Sequence, residues 1–202
     1  MYLYPKWIRL WHLLNALFCL ILIITGLRLQ YSGMEKHLIP FNSAVVLHNT
    51  TGIGLSLSYL IFLLGNMFSP NRKHYRIRFK GLWKGLVIQF TYYIFGVFRG
   101  QKNPFPAREE DKFNPLQKVS YVLIMYFAVP LIILTGWGLL LPDITIPGIF
   151  GVSGIILTYI VHIIMGFIVS IFLIIHIYLS TFGPFSGSRF MSIISGYHPG
   201  DD

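Results

Sequence analysis

Two histidines, His162 and His176, stand fourteen residues apart inside one apolar stretch. A helix turns ~100° per residue, so fourteen residues end within ~40° of whole turns and both imidazoles share a face. The axial step is roughly 21 Å, most of a hydrocarbon core of ~30 Å. Two more histidines, His12 and His48, lie in other apolar stretches. Ionisable groups in such stretches are costly and tend to mark function. Four imidazoles at two depths are what two stacked haems with histidine on both axial faces would need. An iron ligated in this way has no vacancy for dioxygen or substrate and serves electron transfer.

The elements that must carry these side chains follow from composition. The chain has 202 residues, 54% of them hydrophobic and only 11% charged, against about 25% charged in soluble domains. The charge is concentrated in a few segments, which leaves long uncharged runs. This predicts an all-α integral membrane protein of one domain, a four-transmembrane-helix bundle. The spans fall at about 8–30, 44–68, 117–141 and 150–182, each with about twenty or more mainly apolar residues. The runs are continuous rather than alternating, which excludes barrel strands. The run from Leu10 to Leu27 is long for a signal-peptide core, and no Ala-x-Ala-like site closes it, so it is expected to remain as a span. The one cysteine, Cys19, excludes a disulfide within the chain and a covalent Cys-x-x-Cys-His haem site; it reads as a small apolar residue.

The net charge of +9 does not point to nucleic acid, because the basic residues flank apolar spans. Eleven of the sixteen Lys and Arg residues lie in the link 69–116 or at Lys118. By the positive-inside rule that link is cytoplasmic, and Lys6, Arg9 and Arg189 put both termini on the same side. Within the link, an apolar run at 85–98 is too short to cross. It predicts a helix over about 81–100 lying in the inner interface, with Trp83, Tyr92 and Tyr93 at headgroup level. The stretch 101–116 reads as a solvated turn region, and His37, His74 and His198 read as solvated.

Depth then assigns the pairs. His12 and His176 lie near the inner ends of their spans, and His48 and His162 in the outer halves of theirs. The first pair would hold an inner haem iron and the second an outer one. Arg9, near His12, suits either a haem propionate or a topology charge at the interface. Gly26, Gly52, Gly54, Gly136, Gly138 and Gly166 lie in or at the ends of spans, where they suit either a flat macrocycle or ordinary close helix packing.

Arg9-Leu-Trp-His12 followed by Thr25-Gly26 resembles the first-span signature of a known family. His162-x13-His176 followed by Tyr178-Leu-Ser-Thr181 resembles its last-span signature, and Lys112-Phe-Asn114-Pro-Leu-Gln117-Lys118 its entry into the third span. The family is the dihaem cytochrome b of membrane-bound formate dehydrogenase gamma subunits, NiFe-hydrogenase cytochrome b subunits and thiosulfate reductase cytochrome b subunits. The resemblance implies two b haems and a quinone site, for menaquinone or ubiquinone, beside the inner haem. It implies iron–sulfur and catalytic partner subunits on the outer face of a prokaryotic cytoplasmic membrane. By position, Asn114 matches an asparagine near the quinone; it also suits an N-cap of span three. Pro115-Leu116 and Pro184 depart from the formate dehydrogenase branch.

The reading is therefore the electron-transfer and quinone-reacting subunit of a respiratory oxidoreductase, one that does not act on the primary substrate itself. Three rivals make different predictions. A stand-alone cytochrome b would purify without partner subunits. A histidine-based proton or metal-ion transporter would hold no haem and would move ions across vesicles. A passive anchor would tolerate histidine-to-alanine changes.

Overall fold

The computed structural model describes residues 1–31, 33, 39–145, 147–149, 151–182 and 187–198. The helices are α1 (Lys6–Gln30), α2 (Phe41–Phe68), α3 (Leu82–Thr91), α4 (Pro115–Leu123), α5 (Val129–Leu140), α6 (Gly154–Ser180) and α7 (Ser188–Ser195). A π turn, Ile124–Ala128, joins α4 to α5, so Pro115–Leu140 forms one long apolar rod. With α1, α2 and α6 it makes four helices long and apolar enough to cross a membrane.

The ends of these helices have local causes. α1 starts two residues earlier than expected because the carbonyl of Pro5 accepts from Ile8 and Arg9. Pro40 does the same for Ala44, which starts α2 at Phe41. Asn114 caps α4 with a capping box shared with Gln117, and Pro115 sits in the first turn, where its missing N–H is no loss. The fourth helix begins at Gly154, later than expected, because Gly148–Ile149 and Val152–Ser153 pair as a small antiparallel hairpin. The π turn precedes Pro130. A proline ring clashes with the carbonyl four residues back and removes a donor, and a widened turn absorbs both effects.

The chain divides into two compact units. One comprises Leu10–Leu63 and Phe127–Phe172, segments of all four long helices. Its α1 segment turns Leu10, Leu13, Leu17, Leu20 and Ile24 outward, an apolar stripe suited to lipid. Several hydroxyls are satisfied within their own helices, as where Ser56 donates to the Gly52 carbonyl and Thr158 to that of Gly154, while the buried Ser58 Oγ has no hydrogen-bond partner among the described residues. Both tryptophan N–H groups donate to α2: Trp11 to the Ser58 carbonyl at 3.0 Å and Trp137 to Ser56 Oγ at 3.1 Å. Phe62 is fully buried against the Trp11 ring.

The other unit comprises Met1–Arg9, Leu64–Tyr126 and Leu173–Asp202. Here the chain's two ends meet. Tyr2 bridges Tyr197, and the Gly196 carbonyl accepts from Leu3 and Tyr4. Gly196 has φ +88°, and a Cβ there would lie 2.7 Å from the Tyr2 ring and 2.9 Å from the Tyr4 carbonyl, so only glycine fits. In the link, α3 continues through a π turn at Tyr92–Gly96 and a 3-10 turn at Val97–Arg99. A helix therefore fills most of the expected 81–100 range. The amphipathic α7 had no counterpart in the sequence reading.

Candidate functional site

Two rings meet in the four-helix unit. His48 on α2 and His162 on α6 have ring centres 6.3 Å apart, with planes inclined at 72°. Each ring is held in the same way by the preceding long helix. Thr25 Oγ1 on α1 lies 2.9 Å from His48 Nδ1, and Thr135 Oγ1 on α5 lies 3.0 Å from His162 Nδ1. The next residue is a glycine in both cases. A Cβ on Gly26 would stand 3.3 Å from His48 Cε1, and a Cβ on Gly136 the same distance from His162 Cε1. The glycines therefore form cradles that a larger side chain would fill.

This geometry fits a metal ion between the rings. An ion midway would lie about 3 Å from each ring centre. That equals a metal–imidazole bond of about 2 Å plus the ring's own radius of about 1 Å. With Nδ1 of each ring engaged by threonine, Nε2 is the nitrogen left to coordinate. Thr135 was not singled out from the sequence. The signal was present, as a second Thr-Gly pair ahead of a second span histidine. Of the other glycines, Gly54 faces Phe18 and Gly138 faces Thr158, while Gly52 meets nothing within 4 Å.

His12 is half-buried on the α1 segment of the same unit. His176, also half-buried, belongs to the other unit, where its ring lies 6.0 Å from that of Tyr121 at 70°. Arg9 is in that unit too, and its Nε donates to the Ile193 carbonyl of α7 at 3.2 Å.

The unit holding the chain ends carries its own polar cluster. Asn114 is 6% exposed. Its Oδ1 accepts from the Gln117 backbone at 2.9 Å and its Nδ2 donates to Tyr93 Oη at 2.8 Å. The N-cap role is thus realised. Asn114 also lines a cavity of about 40 Å³ with Tyr4, Lys112, Gln117, Tyr121, Arg189 and His198. That is room for about three waters. From Lys112 a chain of hydrogen bonds runs inward. Lys112 donates to Asn71 at 3.2 Å, Asn71 to Asn66 at 2.7 Å, and Asn66 to Tyr126 at 2.8 Å. Burial, with Lys73 nearby, pulls the Lys112 ammonium down to about 8.

Three expectations of solvation are corrected here. His74 is 3% exposed and His198 is 6% exposed. His74 packs edge-on to Phe113, and burial, with Lys112 and Lys73 beside it, pulls its imidazole down to about 4. The stretch 101–116 is only half solvated. It is extended enough to alternate, with Asn103, Phe105 and Ala107 lining the cavity while Lys102, Pro104 and Arg108 face out. His37 and Pro184 lie outside the described residues.

Comparison with known proteins gives the family. A sequence model of the family described as prokaryotic cytochrome b561 matches residues 3–196. The "Putative cytochrome YdhU" of Escherichia coli (strain K12) is 38% identical over 197 residues, covering 98% of this chain and 74% of that protein. No solved structure matches.

Proposed function

The chain belongs to the prokaryotic cytochrome b561 family, membrane electron-transfer proteins that bind haem b, and from that premise we propose that it is a dihaem subunit carrying electrons across the membrane between a peripheral iron–sulfur partner and the quinone pool. The observation that carries this reading is the His48–His162 pair, with ring centres 6.3 Å apart and matched threonine and glycine supports.

In this reading His48 and His162 would hold the outer iron through Nε2, and His12 and His176 would hold the inner one. Each haem, when bound, would supply a one-electron change. The chain's part is to fix the imidazoles, keep flat space beside them at Gly26 and Gly136, and surround them with apolar residues that exclude water. Arg9 Nε is engaged by Ile193, which leaves its terminal nitrogens as donors for a propionate. The quinone, menaquinone or ubiquinone, reacts on the side of the Asn114 cavity. Waters there, beside Lys112 and Tyr4, supply or accept its protons.

Sidedness follows the same logic. Both termini and the basic link fall in one unit, joined by the Tyr2–Tyr197 bridge and by Lys112 over the Tyr4 ring at 5.7 Å. This supports a common cytoplasmic side in a multi-pass inner-membrane protein, with the partner subunits on the opposite face. Inward electron flow would then oppose an inside-negative potential, at up to ~2.3 kcal/mol per 100 mV for a full crossing. The test is the haem-to-chain ratio and the reduced-minus-oxidised spectrum of protein purified after haem-replete expression. Two non-covalent b haems per chain are expected. No haem would end the reading and favour a histidine-based transporter.

A further inference from the structure

We propose that Thr25 and Thr135 are positioning residues that hold His48 and His162 in the Nδ1–H tautomer, with both Nε2 lone pairs presented to one haem iron. This rests on the outer ligation proposed above. A threonine hydroxyl has one proton to give. Thr25 donates it to the Ile21 carbonyl at 2.7 Å, and Thr135 to the Leu131 carbonyl at 2.6 Å. Each hydroxyl oxygen is then left as an acceptor toward the imidazole. The Leu22 and Ile132 carbonyls, three residues before each threonine, lie 3.3 Å and 3.2 Å from the same hydroxyls. The two supports repeat residue for residue: a carbonyl, then threonine three residues on, then glycine. An imidazole that donates from Nδ1 is the more basic ligand at Nε2, which favours ferric over ferrous iron.

The test is an optical redox titration of the purified full chain, with haem content measured alongside. Thr25→Val and Thr135→Val keep the shape and remove the acceptor. Each is expected to shift the midpoint of one of the two haems to higher potential and to weaken its retention about 10–100-fold. The other haem should not move. The double variant should shift the same haem further, and Thr25→Ser and Thr135→Ser should restore the parent values. Valine variants with both midpoints and haem retention unchanged would overturn the proposal, as would equal movement of both haems, which marks a general loosening of the fold. Histidine 15N chemical shifts of the haem-free chain give a second readout. His48 and His162 should show protonated Nδ1 and bare Nε2, and the reverse tautomer overturns the assignment. A parent chain that binds no haem removes the ligation itself, a result distinct from altered tautomers.

Discussion

In the four-helix unit, His48 and His162 each take a hydrogen-bond partner from a threonine on the preceding helix. In the unit that holds both chain ends, Lys112, Asn71, Asn66 and Tyr126 bond to one another instead. The first arrangement leaves one nitrogen of each ring for something that is not protein. The second bonds its polar side chains to one another, with Lys112 at the edge of the cavity. Polar groups in apolar surroundings must be satisfied in either case. On the proposed ligation, the first set is held for a ligand, while Asn71, Asn66 and Tyr126 hold the fold.

The contrast breaks most sharply at the rings. His48→Ala or His162→Ala is expected to remove one of two haems, read as a halved haem-to-chain ratio, while the thermal unfolding of the remaining fold stays cooperative. An unchanged ratio would separate this pair from haem binding. Asn66→Ala, on the other side of the comparison, removes the acceptor of Asn71 Nδ2 and a donor to Tyr126 Oη. A cost of about 1–3 kcal/mol is expected, seen as a lower Tm with an unaltered haem spectrum; a spectral change would show the two units to be coupled. Gly65→Ala places a methyl 2.6 Å from the Trp7 ring, an overpacking cost of about 1–3 kcal/mol that should lower Tm and leave the haem midpoints alone.

The smallest effect is a pH slope. The buried His74 imidazole sits at about 4, below its ordinary 6.5. The unfolded chain therefore binds a proton first as the pH falls. The stability contributed by neutral His74 is complete above about 6.5 and declines toward pH 4, by no more than about 1.4 kcal/mol per pH unit. His74→Phe should flatten the melting temperature over that window. An equally steep profile in the variant would assign the slope to other groups.

Much of the four-helix unit was legible in the chain. The i,i+14 spacing of His162 and His176, the isolated His48 and the Thr25-Gly26 pair all stand out against apolar runs. Thr135-Gly136 escaped because a threonine inside a span usually just returns its proton to its own helix, and Thr135 does that as well. The other unit was harder to read. His74 and His198 sit in polar segments that look solvated in isolation. His74 is covered by Phe113, and His198 pairs its backbone with Met1 from the other end of the chain, contacts between residues distant in sequence. Asn114 shows the opposite case, since its capping box with Gln117 is a local pattern and appears as local structure. The π turn was announced by Pro130, but the periodicity of an all-apolar run gives no phase against which a slip can be noticed.

The Thr-Gly supports have one more consequence, for biogenesis. Each precedes its histidine in the chain, Thr25-Gly26 ahead of His48 and Thr135-Gly136 ahead of His162, with one hairpin per pair. As the protein is synthesised, α1 and α2 can set one half-site before the second hairpin exists, and the second hairpin then brings its own half complete. On the proposed ligation, haem is the clasp that joins two hairpins each prepared in advance, and the two halves expressed as separate polypeptides would need that clasp to find each other.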